Sequence, residues 1–144
     1  MNALSWYHSL IMKKLEREIY QYLKERNWHT IRPSDVAKSV SIEAAELLEL
    51  FQWADFTIAE TKRNKKKMED LKDELADVLI YCLVMSVLLG LDTEKVIRTK
   101  LEKTRHKYPA ALMRKMADRK NPGTESAYLR IKEEYRRRQA AQDA

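Results

Sequence analysis

The chain has 144 residues, with 28 Lys and Arg against 22 Asp and Glu, a formal net charge of +6, two glycines, three prolines and one cysteine. That length suits one domain with a usable core, and so little glycine and proline beside so much charge favours helices over a sheet. A single cysteine excludes a disulfide framework and fits a reducing cytoplasm.

Apolar positions at Leu10, Ile11, Leu15, Ile19, Tyr20 and Leu23 recur every three or four residues, so the spacing predicts an amphipathic helix over 4–26. No signal-peptide pattern precedes Trp6 and Tyr7. The segment 28–33 breaks the pattern, and Ser34 or Asp35 is expected to cap a second helix over 36–61. The basic cluster Lys62, Arg63, Lys65, Lys66 and Lys67 reads as a solvated connection. A third helix is expected over 68–89, stopping at Gly90. Its run from Val78 into Leu91 is about two-thirds of the roughly 20 residues a membrane span needs, so it reads as a buried core helix. Cys82 lies in that run and is expected to be a small buried hydrophobe. A fourth helix starts at Asp92 or Thr93 and ends near Tyr108 and Pro109. Asn121-Pro122-Gly123 marks a turn, and a basic helix is expected over 125–138. The fold class is therefore all-α: a four-helix-type bundle with an extra C-terminal basic tail, divided into a domain over 1–109 and an extension over 110–144 packed on that domain or on a neighbouring subunit.

Two carboxylate pairs stand out. Glu43 and Glu46 lie in a segment whose other residues from Ile42 to Ala54 are apolar, save Glu49 and Gln52. Glu74 and Asp77 lie where the polar start of the third helix meets its apolar end. Each pair is spaced i,i+3, so both side chains leave one helix face about a turn apart. The polar positions 43, 46, 49 and 52 form one narrow stripe, narrower than the polar half of an ordinary surface helix. The second helix is thus expected to be surrounded by protein on most sides. If the two helices are antiparallel neighbours, the pairs face each other, and four carboxylates without a cation repel and raise one another's pKa. Mg²⁺ answers that chemistry, because it takes oxygen ligands and leaves positions for phosphate. Zinc is not expected: His8, His29 and His106 are scattered and read as surface residues.

These segments resemble the all-α nucleoside triphosphate pyrophosphohydrolases, the MazG-like group that includes the dCTP pyrophosphatases. That family's motif is E-x-x-E, a spacer, then E-x-x-D. The flanks agree: Glu46-Leu47-Leu48-Glu49-Leu50-Phe51-Gln52-Trp53 is similar to ELxELFQW, Glu74-Leu75-Ala76-Asp77-Val78-Leu79-Ile80-Tyr81 to ELADVLIY, and Lys107-Tyr108-Pro109 to the closing KYP. Trp28 stands where members carry a D/N-W pair, and the resemblance covers 26–109. Ile42 and Ala45 replace frequent family glycines, and Thr104 a frequent asparagine.

The resemblance implies Mg²⁺, with Mn²⁺ as a substitute, held by Glu43, Glu46, Glu74 and Asp77. It implies water attack on the α-phosphorus of a (d)NTP, giving (d)NMP and pyrophosphate in nucleotide-pool house-cleaning. Glu46 and Glu49 are the catalytic candidates, with Glu49 orienting the water or acting as base. Trp28, Trp53 and Tyr81 are candidates to line a base pocket. Lys100, Arg105 and Lys107, near the end of the fourth helix, are candidates to counter triphosphate charge. The apolar excess of the helices predicts a homodimer at minimum, and the family forms dimers or tetramers. Neither a membrane nor nucleic acid is the expected partner. Two other classes compete: a basic helical nucleic-acid-binding module, motivated by Arg114, Lys115, Arg119, Lys120 and Arg136-Arg137-Arg138, and a non-catalytic helical interaction protein.

Overall fold

The computed structural model describes residues 3–117 and 124–142, and the regular structure among them is entirely helical. In chain order the elements are α1 (Ala3–Glu25), α2 (Pro33–Glu49), α3 (Ile58–Arg63), α4 (Lys65–Leu88), α5 (Thr93–Lys107), α6 (Ala110–Ala117) and α7 (Thr124–Gln142). The chain divides into two compact units, Met1–Glu94 and Lys95–Ala144, so the division falls in the first turn of α5. The expected boundary after Pro109 coincides instead with the break between α5 and α6. No single helix among the described residues is long and apolar enough to cross a membrane.

Two helix ends are built alike. After α1, Asn27 takes a left-handed conformation (φ 56°); its N–H donates to Lys24 O and the Trp28 N–H donates back to Leu23 O at 2.9 Å. After α4, Gly90 (φ 64°) does the same, with N–H groups of Gly90 and Leu91 donating to Val87 O and Ser86 O. Both are Schellman closures, which satisfy the last carbonyls of a helix and turn the chain sharply. Asparagine is among the few L-residues that tolerate this conformation.

Helix α2 begins on Pro33, whose fixed φ and missing N–H suit a first helical position. Its N-cap is Arg32, without a side-chain cap, so neither Ser34 nor Asp35 caps it as expected. Asp35 sits instead in the first turn, where negative charge complements the helix dipole. Its carboxylate accepts from Lys38 Nζ and Arg32 Nε, each at 3.0 Å, and these bonds, that from Lys38 first, hold its pKa below the usual value.

The second helix does not continue to residue 61. It ends at Glu49, and 50–57 turn away from it. Lys67 fixes this loop: its Nζ donates to Leu50 O and lies 5.0 Å and 4.7 Å from the ring centroids of Phe51 and Phe56. A capping box then starts α3, with Thr57 Oγ1 accepting from the Glu60 N–H and the Glu60 carboxylate accepting from the Thr57 N–H at 2.8 Å. Only Asn64 separates α3 from α4, and its side chain caps α4 by accepting from the Lys67 N–H. The basic cluster is thus mostly helical rather than a loop: Lys62 and Arg63 end α3, and Lys65, Lys66 and Lys67 begin α4. Helix α6 was not expected; Pro109 ends α5, yet its carbonyl accepts from the Met113 N–H at 3.0 Å and alanines resume the helix. The turn expected at 121–123 lies outside the described residues. Helix α7 contains the whole of the expected segment 125–138.

In the first unit α4 is central, with α1, α2 and α3 packed against it. Ile19, Leu23, Val36 and Val84 form the buried core, and Ile31, Tyr81, Leu83, Met85 and Leu88 pack around them. Val36, at the start of α2, shares this cluster with Val84, near the end of α4, whereas Lys67, at the start of α4, reaches Leu50 just past the end of α2. The two helices are therefore antiparallel. A single chain does not enclose α2, contrary to expectation: Ile42 is 56% and Leu48 69% exposed. Cys82 is also exposed rather than buried. The run around it carries no charged residue, and its one serine, Ser86, is itself buried, so nothing in it marks which side turns outward.

Leu23 contributes both to the core and to the closure of α1, and is 3% exposed. Leu23→Ala is expected to destabilise the fold by about 2–5 kcal/mol through the cavity it leaves, read as a lowered midpoint in urea denaturation.

Candidate functional site

The antiparallel pairing of α2 with α4 sets the two acidic pairs opposite each other. Glu43, Glu46 and Glu74 each bring a carboxylate oxygen within 4.8 Å of the others. Glu43 and Glu74 are half-buried, and Glu46 is exposed. Burial raises the Glu74 pKa first, and repulsion from Glu46, Asp77, Glu43 and Asp73 raises it further. Glu43 is raised likewise by burial, then by Glu46 and Asp77. Among the described residues, the charges that shift these two groups are all acidic. Asp77 joins the group through its field on both. The donor set is hard carboxylate oxygen from facing helices, partly open to water, which fits Mg²⁺ or Mn²⁺ and not a soft metal.

Asp77 also lines a cleft of about 760 Å³ beside the acidic group. Ile19, Leu23, Ile80 and Val84 supply apolar walls; Tyr22, Trp28 and Tyr81 bring aromatic rings; Asp35 and Ser39 bring polar atoms. That is the size and character of a site for a small organic ligand. The Schellman closure at Asn27 directs Trp28 back over α1, where its ring meets that of Tyr22 edge-on at 6.1 Å. Arg26 lies 3.7 Å from the centroid of the Tyr22 ring, a cation–π contact on the same cluster.

Of the residues expected at a site, Glu43, Glu46 and Glu74 thus come together; Asp77 stands outside that three-oxygen group, near enough for its charge to act on Glu43 and Glu74, and lines the adjoining cleft with Trp28 and Tyr81. Glu49 ends α2 and stands outside the three-carboxylate group, because two steps of three residues rotate it about 120° from Glu43. Trp53 is 88% exposed on the loop after α2 and outside the cleft lining. Lys100, Arg105 and Lys107 belong to α5 in the second unit, where Arg105 pairs with Glu102 and Lys107 lies against the rings of Tyr108 and Tyr135. His106 is exposed, whereas His29 is half-buried rather than a surface residue, with Nδ1 shielded from solvent. Sequence reading did not find Asp35 and Ser39 in the cleft. Their spacing of four before Glu43 was a signal, since 35, 39 and 43 follow one line along the helix.

A family profile described as MazG-like matches residues 38–119. The chain is 29% identical over 105 residues to dCTP pyrophosphatase 1 of Rattus norvegicus, covering 72% of this chain, and equally similar to dCTP pyrophosphatase 1 of Homo sapiens. It spans 62% of the length of these curated relatives. The crystal structure of a pyrophosphatase from Archaeoglobus fulgidus superimposes with a TM-score of 0.59 at 35% identity, covering 68% of this chain and 92% of that one.

The crowding of Glu74 has a measurable sign. A carboxyl whose pKa is raised by folding holds its proton better folded than unfolded, so its ionisation costs stability. That cost is absent below about pH 4 and grows as pH rises through the raised value. In EDTA, Glu74→Gln is expected to melt above the parent chain at about pH 7, with the gap closing as pH falls to about 4. Mg²⁺ should raise the parent's melting temperature and that of the variant much less. A variant that melts lower than its parent at neutral pH would exclude the crowding.

Proposed function

The chain belongs to the MazG-like family, and from that premise we propose that it is a Mg²⁺-dependent nucleoside triphosphate pyrophosphohydrolase, acting on (d)NTPs in cytoplasmic nucleotide-pool house-cleaning. One observation carries the reading: three carboxylate oxygens within 4.8 Å, offered by facing helices, beside an aromatic-walled cleft. Glu43, Glu46, Glu74 and Asp77 hold the metal. When bound, Mg²⁺ neutralises the crowded carboxylates and the phosphates and acidifies a water.

The remaining work falls to side chains. Trp28 and Tyr81 flank the base in the cleft, where stacking on one ring contributes roughly 1–3 kcal/mol. The apolar walls exclude water from one side of the nucleotide. Water attacks the α-phosphorus, the bond from that phosphorus to the bridging oxygen breaks, and pyrophosphate leaves with the bonding electrons. The attacking water's proton passes to a carboxylate, for which Glu49 and Glu46 are the candidates; such a base contributes about 10²–10⁴-fold. The dCTP named for the curated relatives makes a cytosine nucleotide the first substrate to try. The exposed apolar side chains Ile42, Leu48 and Leu79 support a homodimer or homotetramer that covers them.

Incubation with a panel of (d)NTPs, with and without Mg²⁺, is expected to yield monophosphate and pyrophosphate only when metal is present. Glu46→Gln and Asp77→Asn are each expected to lower kcat by at least about 100-fold, since even residues behind metal ligands cost 10–100-fold, with far-UV circular dichroism unchanged. Release of inorganic phosphate and diphosphate, or full turnover in both variants, would refute the assignment. Leu79→Glu should shift the species seen by size-exclusion chromatography with light scattering towards monomer.

A further inference from the structure

The two compact units carry opposite charge. Met1–Glu94 holds 13 Lys and Arg against 16 Asp and Glu, a net of −3, whereas Lys95–Ala144 holds 15 against 6, a net of +9. All of the chain's excess positive charge therefore resides in its last 50 residues. The family profile ends at residue 119, before α7 begins at Thr124, so the shared core of the family does not account for that helix.

Several of these charges face water. Lys103 on α5, Arg114 on α6, and Arg136 and Arg137 on α7 are all exposed, and α6 packs against α7. A net charge of +9 on a unit this small repels itself, at a cost in stability. Aromatic rings are interleaved with the charge: Lys107 lies 4.6 Å from the centroid of the Tyr135 ring, which is itself 37% exposed. Lys107 covers one face of that ring, so the exposed cations around it, rather than stacking, are the elements of a surface that tracks a phosphate backbone.

We propose that the second unit binds single-stranded nucleic acid through its phosphates, without sequence preference. The acidic group of the first unit takes no part in this, since it repels phosphate unless metal is bound. The proposal departs from the sequence-based expectation against a nucleic-acid partner, and does so for the second unit alone. An anionic membrane is the less suitable polyanion. An interfacial helix needs a continuous apolar face free to enter lipid, whereas among the described side chains of α7 the exposed Leu129 and Tyr135 stand between the exposed charges of Arg130, Glu133, Glu134 and Arg136.

The test is fluorescence anisotropy of a labelled single strand of about 20 nucleotides, titrated with the full chain in EDTA at several NaCl concentrations. If Lys103, Arg114, Arg136 and Arg137 each meet a phosphate, log Kobs falls against log[NaCl] with a slope of about −2.8, so affinity drops about fifty-fold from 50 to 200 mM. In the double variant Arg136→Ala, Arg137→Ala the slope is expected to fall to about −1.4, and the same drop to about sevenfold. The double variant Arg136→Lys, Arg137→Lys should restore the slope, because lysine keeps the charge. No binding at 50 mM NaCl, a slope unaltered in the alanine variant, or binding to phosphatidylserine vesicles without binding to the oligonucleotide would each overturn the proposal. Since EDTA removes hydrolysis from the readout, failure here leaves the proposed activity intact, and failure of that activity leaves this result standing.

Discussion

Repulsion between carboxylates on facing helices is the constraint around which the first unit is arranged. Glu43 and Glu46 from α2 meet Glu74 and Asp77 from α4 only because the two helices run antiparallel and in register. Water does not fully relieve the crowding, as Glu43 and Glu74 are half-buried. The attraction opposing it comes from a small apolar cluster at the other end of the same helix pair, where Val36 meets Val84. The two ends of the α2–α4 contact thus do opposite things. One is the apolar clamp of the unit, and the other is a charged mouth whose energetic balance calls for a divalent cation.

The chain's turns matter to this arrangement as much as its helices. The closure at Asn27 brings Trp28 to the wall of the cleft, and Pro33 starts α2 where Asp35 and Ser39 join the same wall. Asp77 acts on the acidic group through its charge and lines the cleft. A ligand with a phosphate end and a flat organic end can therefore bridge two environments that one residue already connects.

Much of this was legible in the chain. The i,i+3 acidic pairs were readable because helical period is a strong signal in an apolar background, and their flanks carry the family pattern. The end of α4 was readable at Gly90. The end of α2 was not, because Leu50, Phe51 and Trp53 continue the apolar pattern beyond the last helical turn. Thr57 and Glu60 spelled the capping box that starts the next helix, three residues apart, but apolar continuity outweighed it. Trp53 illustrates the consequence: placed on a helix by its spacing, it stands on a loop and almost wholly in water. The exposure of Cys82, Ile42 and Leu48 was hidden for a different reason. Hydrophobicity says that a side chain gains from being covered; it does not say whether its own chain or a second one provides the cover.

Lys67 carries a consequence of its own. Its single ammonium group receives the Leu50 carbonyl and two phenylalanine rings at once, and its Cα lies two helical turns before Glu74 on the same side of α4. The loop bearing Trp53 is therefore moored to the very helix that presents the acidic group. Acetylating that one nitrogen would take away the charge that both rings hold, so two of the three moorings of the loop would go together and leave an amide N–H to the Leu50 carbonyl.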